Sequence, residues 1–198
     1  MVINRFLQKD FEMETKNIIL ASASPRRKEL LSIIFDDFKI IPSTCEEIIP
    51  QNYDAFSVAE ILAKQKATDV YNKHKDCLVI GADTCVIVDN IILGKPKDKD
   101  DARAMIKSLS GKTHYVVTGC CIVHNDKTET FSQITEVEFH KLSEKEIEEY
   151  INTSEPYDKA GAYGIQGKGS LLVKKINGDY FNVVGLPIST LNLKLKKL

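Results

Sequence analysis

The sequence predicts an α/β domain, because short apolar runs of strand type alternate with segments of helical periodicity. The apolar run 17–21 leads directly into a helix that begins at Pro25. A second helix over 53–71 has apolar residues at a 3.6-residue period and is followed by the buried strand 77–80. At 198 residues the chain is long enough to bury the core of one such domain.

Composition argues against several classes of protein. The net charge of −1 gives no electrostatic reason to expect a nucleic-acid polymer or an anionic membrane as partner. No apolar run approaches the ~20 residues of a membrane-spanning helix. The four histidines lack metal-ligand spacing, so we expect no zinc site. The five cysteines are odd in number and form no C-x-x-C motif, which is typical of reduced thiols in a cytoplasmic protein.

The N-terminal segment 1–16 differs from the rest of the chain. It carries Asp10, Glu12 and Glu14 and has no long apolar centre, so it lacks the pattern of a secretion signal. We therefore predict a loose extension over 1–16 and a single domain over 17–198.

The junction between the first strand and the first helix has the composition of an anion site. Ser24 is a good helix N-cap, and Pro25 suits the first helical position because its missing N–H has no partner there. The run 26–28 is wholly basic, although acids are favoured at a helix N-terminus. A bound phosphate, held also by the Ser22 hydroxyl, would account for these cations. A capped helix with a solvated basic first turn is the alternative.

Charged positions in the next two elements have open interpretations. The strand 38–41 leads into a loop with Glu46 and Glu47, which are either surface charges or ligands for a hard cation such as Mg²⁺. In the helix 53–71, Lys66 lies on the apolar face. Its ammonium group either extends to solvent or faces a cleft that holds phosphate.

An acid follows the buried strand 77–80. Two small residues precede Asp83, and we expect this carboxylate at the end of the strand, where burial requires a compensating cation, metal or reacting group. A predicted hairpin then returns Lys95 towards Asp83. The alternative is an aspartate that caps a turn, with Lys95 in solvent. Core elements follow as a helix over 99–109, strands over 114–123 and 128–139, and a helix over 143–151.

The second informative stretch is 155–169, because four of the ten glycines lie between 161 and 169. This density predicts positive φ angles or a close approach of the backbone to a ligand. Gln166 has the donor and acceptor groups that the edge of a nucleobase requires. A mobile surface loop is the alternative. We then predict a hairpin of 171–176 and 180–184, and a C-terminal helix.

Together these features suit a nucleotide. Cations and helix N–H groups would bind phosphates, the acid would bind water or a metal, and the amide would bind a base. A sugar phosphate would suit the same set. Serine–histidine hydrolase chemistry is disfavoured, since the chain has no G-x-S-x-G motif.

Four motifs, in order, resemble the signature motifs of Maf-like nucleoside triphosphate pyrophosphatases from about residue 17 to the C-terminus. They are LASASPRR (20–27), GADT (81–84), GKP (94–96) and DKAGAYGIQG (158–167). The resemblance implies the α/β fold shared with inosine triphosphate pyrophosphatases. That fold has a long mixed sheet with flanking helices and two lobes around a deep cleft.

The resemblance also implies an activity, namely hydrolysis of a nucleoside triphosphate between the α and β phosphates to a monophosphate and pyrophosphate. Asp83 would activate the attacking water, and Glu47 with Asp83 would place a divalent cation, Mg²⁺ or Mn²⁺. The substrate would be held by Ser22, Ser24, Arg26, Lys66, Thr84, Lys95 and Gln166.

The residue after the catalytic aspartate separates subgroups of the family. Thr84 at this position, together with Arg26 and Gln166, is similar to the subgroup that cleaves dTTP and UTP. Modified pyrimidine nucleotides would fit the same pocket. The resemblance further implies a homodimer with one catalytic domain over 17–198. A non-catalytic nucleotide-binding regulator of cell division is the alternative, because the family also carries that association.

Overall fold

The computed structural model describes residues 17–198 as one seven-stranded mixed sheet with flanking helices, which confirms the predicted fold class. The strands are β1 (Ile18–Leu20), β2 (Lys39–Ile40), β3 (Leu78–Val88), β4 (Ile91–Leu93), β5 (Thr113–His124), β6 (Lys127–Phe139) and β7 (Val173–Asn177). The α-helices are α1 (Pro25–Leu31), α2 (Val58–Lys73), α3 (Lys99–Leu109), α4 (Glu144–Ile151), α5 (Tyr180–Val184) and α6 (Ile188–Leu195). The predicted extension over 1–16 lies outside the described residues. None of the helices over 17–198 is long and apolar enough to cross a bilayer.

The sheet has the order β2-β1-β3-β5-β6-β7, and β4 pairs with β3 outside this path. β1 is parallel to both β2 and β3, and the remaining pairs are antiparallel. Three long strands, β3, β5 and β6, therefore form the rigid centre of the sheet, and Asp83 pairs with Gly119 within it.

Alternate residues of β3 face opposite layers of helices. Leu78, Ile80 and Ala82 pack with residues of α1 and α6. Val79 packs with the alanines of α2 on the other face. Asp83 therefore points towards α2, and its neighbour Thr84 points towards α1.

Two glycines let α2 lie unusually close to the sheet beside Asp83. A Cβ at Gly81 would lie 2.5 Å from the carbonyl oxygen of Ala63, and a Cβ at Gly119 would overlap the backbone of Ala59. The small residues before Asp83 thus serve helix–sheet packing and do not end the strand. The prediction of a strand end at this point is wrong, because β3 continues unbroken to Val88.

β3 lacks a strand partner on one edge around Asp83. On this edge β1 pairs with β3 as far as Ile80, and β4 pairs with it from Val86 onwards. Within the described residues, no strand pairs with the edge between these two positions, whereas β5 pairs with the opposite edge from Val79 to Ile87. A cleft of about 470 Å³ opens at this edge gap, and it reaches both faces of β3.

The predicted hairpin after residue 170 is also wrong. β7 pairs with β6, and the segment expected to be its partner is the helix α5. Gly178 has a φ of +134°, and the Asp179 carboxylate accepts a hydrogen bond from the N–H of Phe181 as an N-cap. The Asn177–Gly178 turn therefore connects a strand to a helix.

Candidate active site

The cleft at the edge gap brings residues from all four sequence motifs together. Its lining contains eight of the predicted site residues: Ser22, Ser24, Arg26, Lys66, Asp83, Thr84, Lys95 and Gln166. Glu47 is outside this lining, but its carboxylate lies 2.9 Å from the ammonium nitrogen of Lys66. The acid and the cations that were selected from distant parts of the chain therefore share one site.

Lys66 connects the two predicted metal-binding acids. Its ammonium group bonds the Asp83 carboxylate and also pairs with Glu47. The Lys66 and Asp83 side chains are only 18% and 16% exposed. Burial lowers the pKa of Lys66, but the charges of Asp83 and Glu47 and their hydrogen bonds outweigh burial, so that the pKa is raised overall. Lys66 is thus a protonated group that faces the cleft. Of the two interpretations of its position on the apolar face, the structure favours the one in which its ammonium group faces a cleft over the one in which it extends to solvent.

Arg27 was predicted only as one of the cations of the run 26–28, and its role as a bonded group inside the site was missed. Its Nε donates to the carbonyl oxygen of Gly185 at 2.8 Å, Nη1 to Ser22 Oγ at 3.1 Å, and Nη2 to Thr84 Oγ1 at 2.9 Å. Burial lowers the pKa of the Arg27 guanidinium, and the charge of Asp83 opposes this. The planar fork of donors thus joins the first motif, the second motif and the end of α5.

The hydroxyl of Thr84 is already engaged inside the protein. Thr118 donates its hydroxyl proton to the carbonyl oxygen of Asn182 at 2.8 Å. Thr118 Oγ1 can therefore only accept from Thr84, at 2.9 Å, while Thr84 accepts from Arg27. Because its single proton is used, Thr84 can accept one more hydrogen bond but cannot donate one to a ligand.

The two serines of the first motif keep their protons available. Ser22 Oγ accepts from Arg27 and from the N–H of Ser24 at 3.3 Å. Ser24 Oγ accepts from the N–H of Arg27 at 3.5 Å, which confirms the predicted N-cap of α1. Both hydroxyls can therefore donate to an anion in the cleft.

The exposed cations of the cleft differ in their pairing. Arg26 forms an ion pair of 3.1 Å with Asp158, across the cleft from α1, and Asp158 also pairs with Lys159. Asp158 and Lys159 line the cleft and were absent from the predicted site. Lys95 is exposed and, within residues 17–198, has no hydrogen-bond or ion-pair partner. It is a free cation beside the bonded ones.

The glycine-rich loop forms the opposite side of the cleft. Of its four glycines only Gly161 has a positive φ, +67°, and its N–H donates to the carbonyl oxygen of Gly94 at 3.0 Å. Gln166 is exposed in the cleft lining and has no hydrogen-bond partner among the described residues. Its amide is free to bond a ligand.

Comparison with known proteins assigns this chain to a family. The family model described as Maf-like protein matches residues 17–198. The chain belongs to the Maf-like family. A protein of Bacillus velezensis named dTTP/UTP pyrophosphatase is 51% identical to this Maf-like chain over 183 residues, which cover 92% of the chain and 97% of the relative. A protein of Bacillus anthracis with the same name is 52% identical over 182 residues, which cover 92% and 95%.

Solved structures also share the fold of this Maf-like chain. The Ham1 protein of Staphylococcus aureus superposes with a TM-score of 0.54 at 16% identity, and the HAM1 protein of Coxiella burnetii with a TM-score of 0.55 at 13%. Each superposition covers 92% of this chain and 99% of the other. The motif-based resemblance and the mixed-sheet fold that it implied are both confirmed.

Proposed function

We propose that this chain is a nucleoside triphosphate pyrophosphatase that hydrolyses the α–β phosphoanhydride of dTTP and UTP, and of modified pyrimidine nucleotides. The Asp83 carboxylate in a cleft lined by cations carries this proposal. A module that only binds phosphates gains nothing from a carboxylate beside them, whereas a hydrolase needs a base. The two Bacillus relatives named dTTP/UTP pyrophosphatase support it at about half identity.

The triphosphate is bound by charge and by hydroxyl donors. Lys66, Lys95 and Arg26 line the cleft and neutralise the phosphate oxygens. The free protons of Ser22 and Ser24 add hydrogen bonds to the same oxygens. Because these groups come from different elements of one fold, they are arranged before the substrate arrives, which lowers the barrier through positioning.

Asp83 acts as the general base in this proposal. Its carboxylate accepts a proton from the attacking water, the water oxygen forms a bond to phosphorus, and the bridging P–O bond breaks to release pyrophosphate. Lys66 holds Asp83 in place by an ion pair and compensates its charge in a site with little exposure.

A divalent cation fits beside this base. Glu47 and Asp83 already converge on one cation, the Lys66 ammonium, and carboxylate oxygens are the ligands that Mg²⁺ and Mn²⁺ prefer. Among residues 17–198, no group of three or more potential ligand side chains occurs. Glu47 and Asp83 would therefore hold the ion together with the substrate phosphates. When bound, the ion would supply further neutralisation of phosphate charge.

The pyrimidine preference rests on the free amide of Gln166. Uracil and thymine present carbonyl oxygens and an N–H at one edge, and an amide can donate to the first and accept from the second. Thr84 contributes through its contact with Arg27 and through its one remaining acceptor position.

A panel of triphosphates tests the proposed function. Pyrophosphate release is measured from dTTP, UTP, CTP, dATP and GTP with Mg²⁺ or Mn²⁺. We expect dTTP and UTP to be the best substrates and to give monophosphate and pyrophosphate in equal amounts. Release of inorganic phosphate would contradict the cleavage position, and binding without turnover would favour the non-catalytic regulator, for which the comparisons give no support.

The assembly and location are also part of the proposal. We propose a homodimer in the cytoplasm, with residues 17–198 as its catalytic domain and residues 1–16 as an extension. Analytical ultracentrifugation measures the assembly, and a monomeric active enzyme would contradict it.

A further inference from the structure

We propose that Glu155 is the positioning residue of the glycine-rich loop and that it orients Gln166 towards the base of the nucleotide. Glu155 is the first residue of the stretch 155–169 and is absent from the cleft lining. It acts on substrate only through the loop. This inference rests on the proposed function, because it assigns the loop to base recognition.

The carboxylate of Glu155 lies inside the loop as a hydrogen-bond acceptor. Its Oε2 accepts from the N–H of Lys168 at 2.7 Å, and its Oε1 accepts from the N–H of Gly169 at 2.9 Å. The Tyr150 hydroxyl donates to Oε1 at 3.2 Å. Two successive main-chain N–H groups are thus bound by one ionised side chain, and charge-assisted bonds of this kind are stronger than neutral ones.

Gly167, and less tightly Gly164, makes room for this carboxylate. A Cβ at Gly167 would overlap Glu155 Oε2, and a Cβ at Gly164 would lie 3.2 Å from Oε1. A Cβ at Gly169 would lie 2.8 Å from the Tyr150 hydroxyl oxygen. All three have ordinary φ angles. An acid of the protein itself therefore accounts for Gly167, whereas the nearest neighbours of Gly164 and Gly169 are the Lys159 side chain and the carbonyl oxygen of Gly164.

Gln166 lies between two fixed points of the loop. On one side Ile165 is buried in the apolar cluster shared with α1 and α6. On the other side the main chain at Lys168 and Gly169 is bound to Glu155. The side chain of Gln166 has no hydrogen bond of its own among residues 17–198. The backbone consequently sets the direction of the Gln166 Cα–Cβ bond, and Glu155 fixes the backbone two and three residues further on.

The substitution Glu155→Gln tests this role with almost no change of size. One carboxylate oxygen becomes an NH₂ group that faces a main-chain N–H. Since both groups are donors, the hydrogen bond between side chain and main chain is lost at this position. Calorimetry measures binding of α,β-methylene-dTTP, which resists hydrolysis, and of pyrophosphate, which has no base. We expect roughly tenfold weaker binding of the nucleotide, as for one lost hydrogen bond, and unchanged binding of pyrophosphate.

Two further variants separate positioning from general damage. Glu149→Gln is the matched control, because Glu149 is an exposed acid on the neighbouring helix that pairs with Lys145 at 3.7 Å, and it should leave both affinities unchanged. Tyr150→Phe keeps the buried ring but removes one donor to Glu155 and the acceptor of the Gly164 N–H at 3.4 Å, so it loosens the same loop and should weaken only nucleotide binding, by about twofold.

A double-mutant cycle decides whether Glu155 acts through Gln166. In a Gln166→Ala background, Glu155→Gln should cause no further loss of nucleotide affinity. Additive losses, an equal loss for pyrophosphate, or unchanged nucleotide binding in both Glu155→Gln and Tyr150→Phe would each overturn the proposal. A wild-type chain that binds α,β-methylene-dTTP but hydrolyses no triphosphate would refute the proposed function and leave this inference standing.

Discussion

The two walls of the cleft hold their functional groups by different means. The phosphate wall consists of α1, α2 and β3, and there the charged ends of Arg27 and Lys66 are themselves bonded to the protein. The loop wall consists of residues 155–169, and there Glu155 bonds the main chain while Gln166 remains free among the described residues. One wall fixes its side chains directly, and the other fixes a backbone that carries a free side chain.

This difference follows from the parts of the ligand that each wall is proposed to meet. Phosphates are bound through charge, and cations in a site of low exposure require compensation by neighbouring acids and acceptors. A base is recognised by the direction of hydrogen bonds, for which backbone geometry matters more than charge. Changes on the phosphate wall should therefore affect rate and stability, whereas changes on the loop wall should affect selectivity.

Asp83→Asn, on the phosphate wall, should have the largest effect of the four predictions, and the effect should be on kcat. The amide cannot accept the proton from water, so kcat should fall by about 10²–10⁴-fold. Without a divalent cation, binding of α,β-methylene-dTTP should remain close to the wild-type value, because the cationic side chains and hydroxyls stay in place and Lys66 keeps its ion pair with Glu47. A variant with wild-type kcat would remove Asp83 from the mechanism.

Comparing Arg27→Lys with Arg26→Lys tests whether a cation bonded inside the protein contributes more to the free energy of unfolding than an exposed one. The single ammonium nitrogen of lysine cannot reach the three separate acceptors of Arg27 and leaves at least two of them without this donor, so urea unfolding should show a loss of about 3 kcal/mol, roughly 1.5 kcal/mol for each acceptor that loses its donor. Arg26 is half-exposed and has one ion pair, so its variant should change stability by only about 0.5 kcal/mol. Equal losses in the two variants would contradict the distinction.

His114 of β5 should make the stability of the whole domain sensitive to acid. It is fully buried, shares a 2.8 Å hydrogen bond with the hydroxyl of the loop residue Tyr163, and its Nδ1 has no partner among the described residues. Burial lowers the pKa of His114 from 6.5 to about 4. Because the folded pKa lies below the unfolded one, the unfolded chain binds the proton first. The stability contributed by neutral His114 is therefore complete above pH 6.5 and is lost as the pH falls to about 4.

Denaturant unfolding between pH 7 and pH 4 measures this loss, which should reach up to about 3 kcal/mol. His114→Gln keeps a neutral hydrogen-bonding group beside Tyr163 and should show a smaller slope over the same range. Identical slopes in the two proteins would show that other groups cause the acid sensitivity.

Gln166→Ala should have the smallest effect of the four and should act on selectivity. The loss of one neutral hydrogen bond corresponds to roughly tenfold in the ratio of kcat/KM for dTTP to that for GTP. The kcat for dTTP should change less than this ratio. An unchanged ratio across dTTP, UTP, CTP and GTP would remove Gln166 from base recognition.

On the phosphate wall, the sequence identified Lys66 as a site residue but not the bonded role of Arg27. The apolar stripes of α2 and α1 explain this difference. Lys66 was recognised because it lies on an apolar stripe of α2. The same test applied to α1 identifies Arg27, which precedes Leu30, Leu31 and Ile34 by three, four and seven residues and so lies on the buried face. Motif resemblance instead pointed to Arg26, whose partner Asp158 comes from the other wall.

The remaining errors concern contacts between distant segments. Gly81 was interpreted as part of a strand end, because the approach of α2 to the sheet cannot be inferred from one strand. The Asn177–Gly178 pair is typical of a hairpin, but the amide of Asn182 bonds the main chain of β5 and fixes α5 there. Glu155 had no signal in the sequence, since its partners are mainly main-chain N–H groups.

The edge gap of β3 has a consequence for the behaviour of the protein in crowded solution. An open strand edge offers its N–H and C=O groups to any extended peptide and can start intermolecular sheet growth. Here such a peptide would have to bury the ionised heads of Lys66 and Asp83. The charged pair proposed for hydrolysis therefore adds a desolvation cost to such pairing, and joint replacement of the two groups by apolar residues should increase the insoluble fraction of the protein in a sedimentation assay.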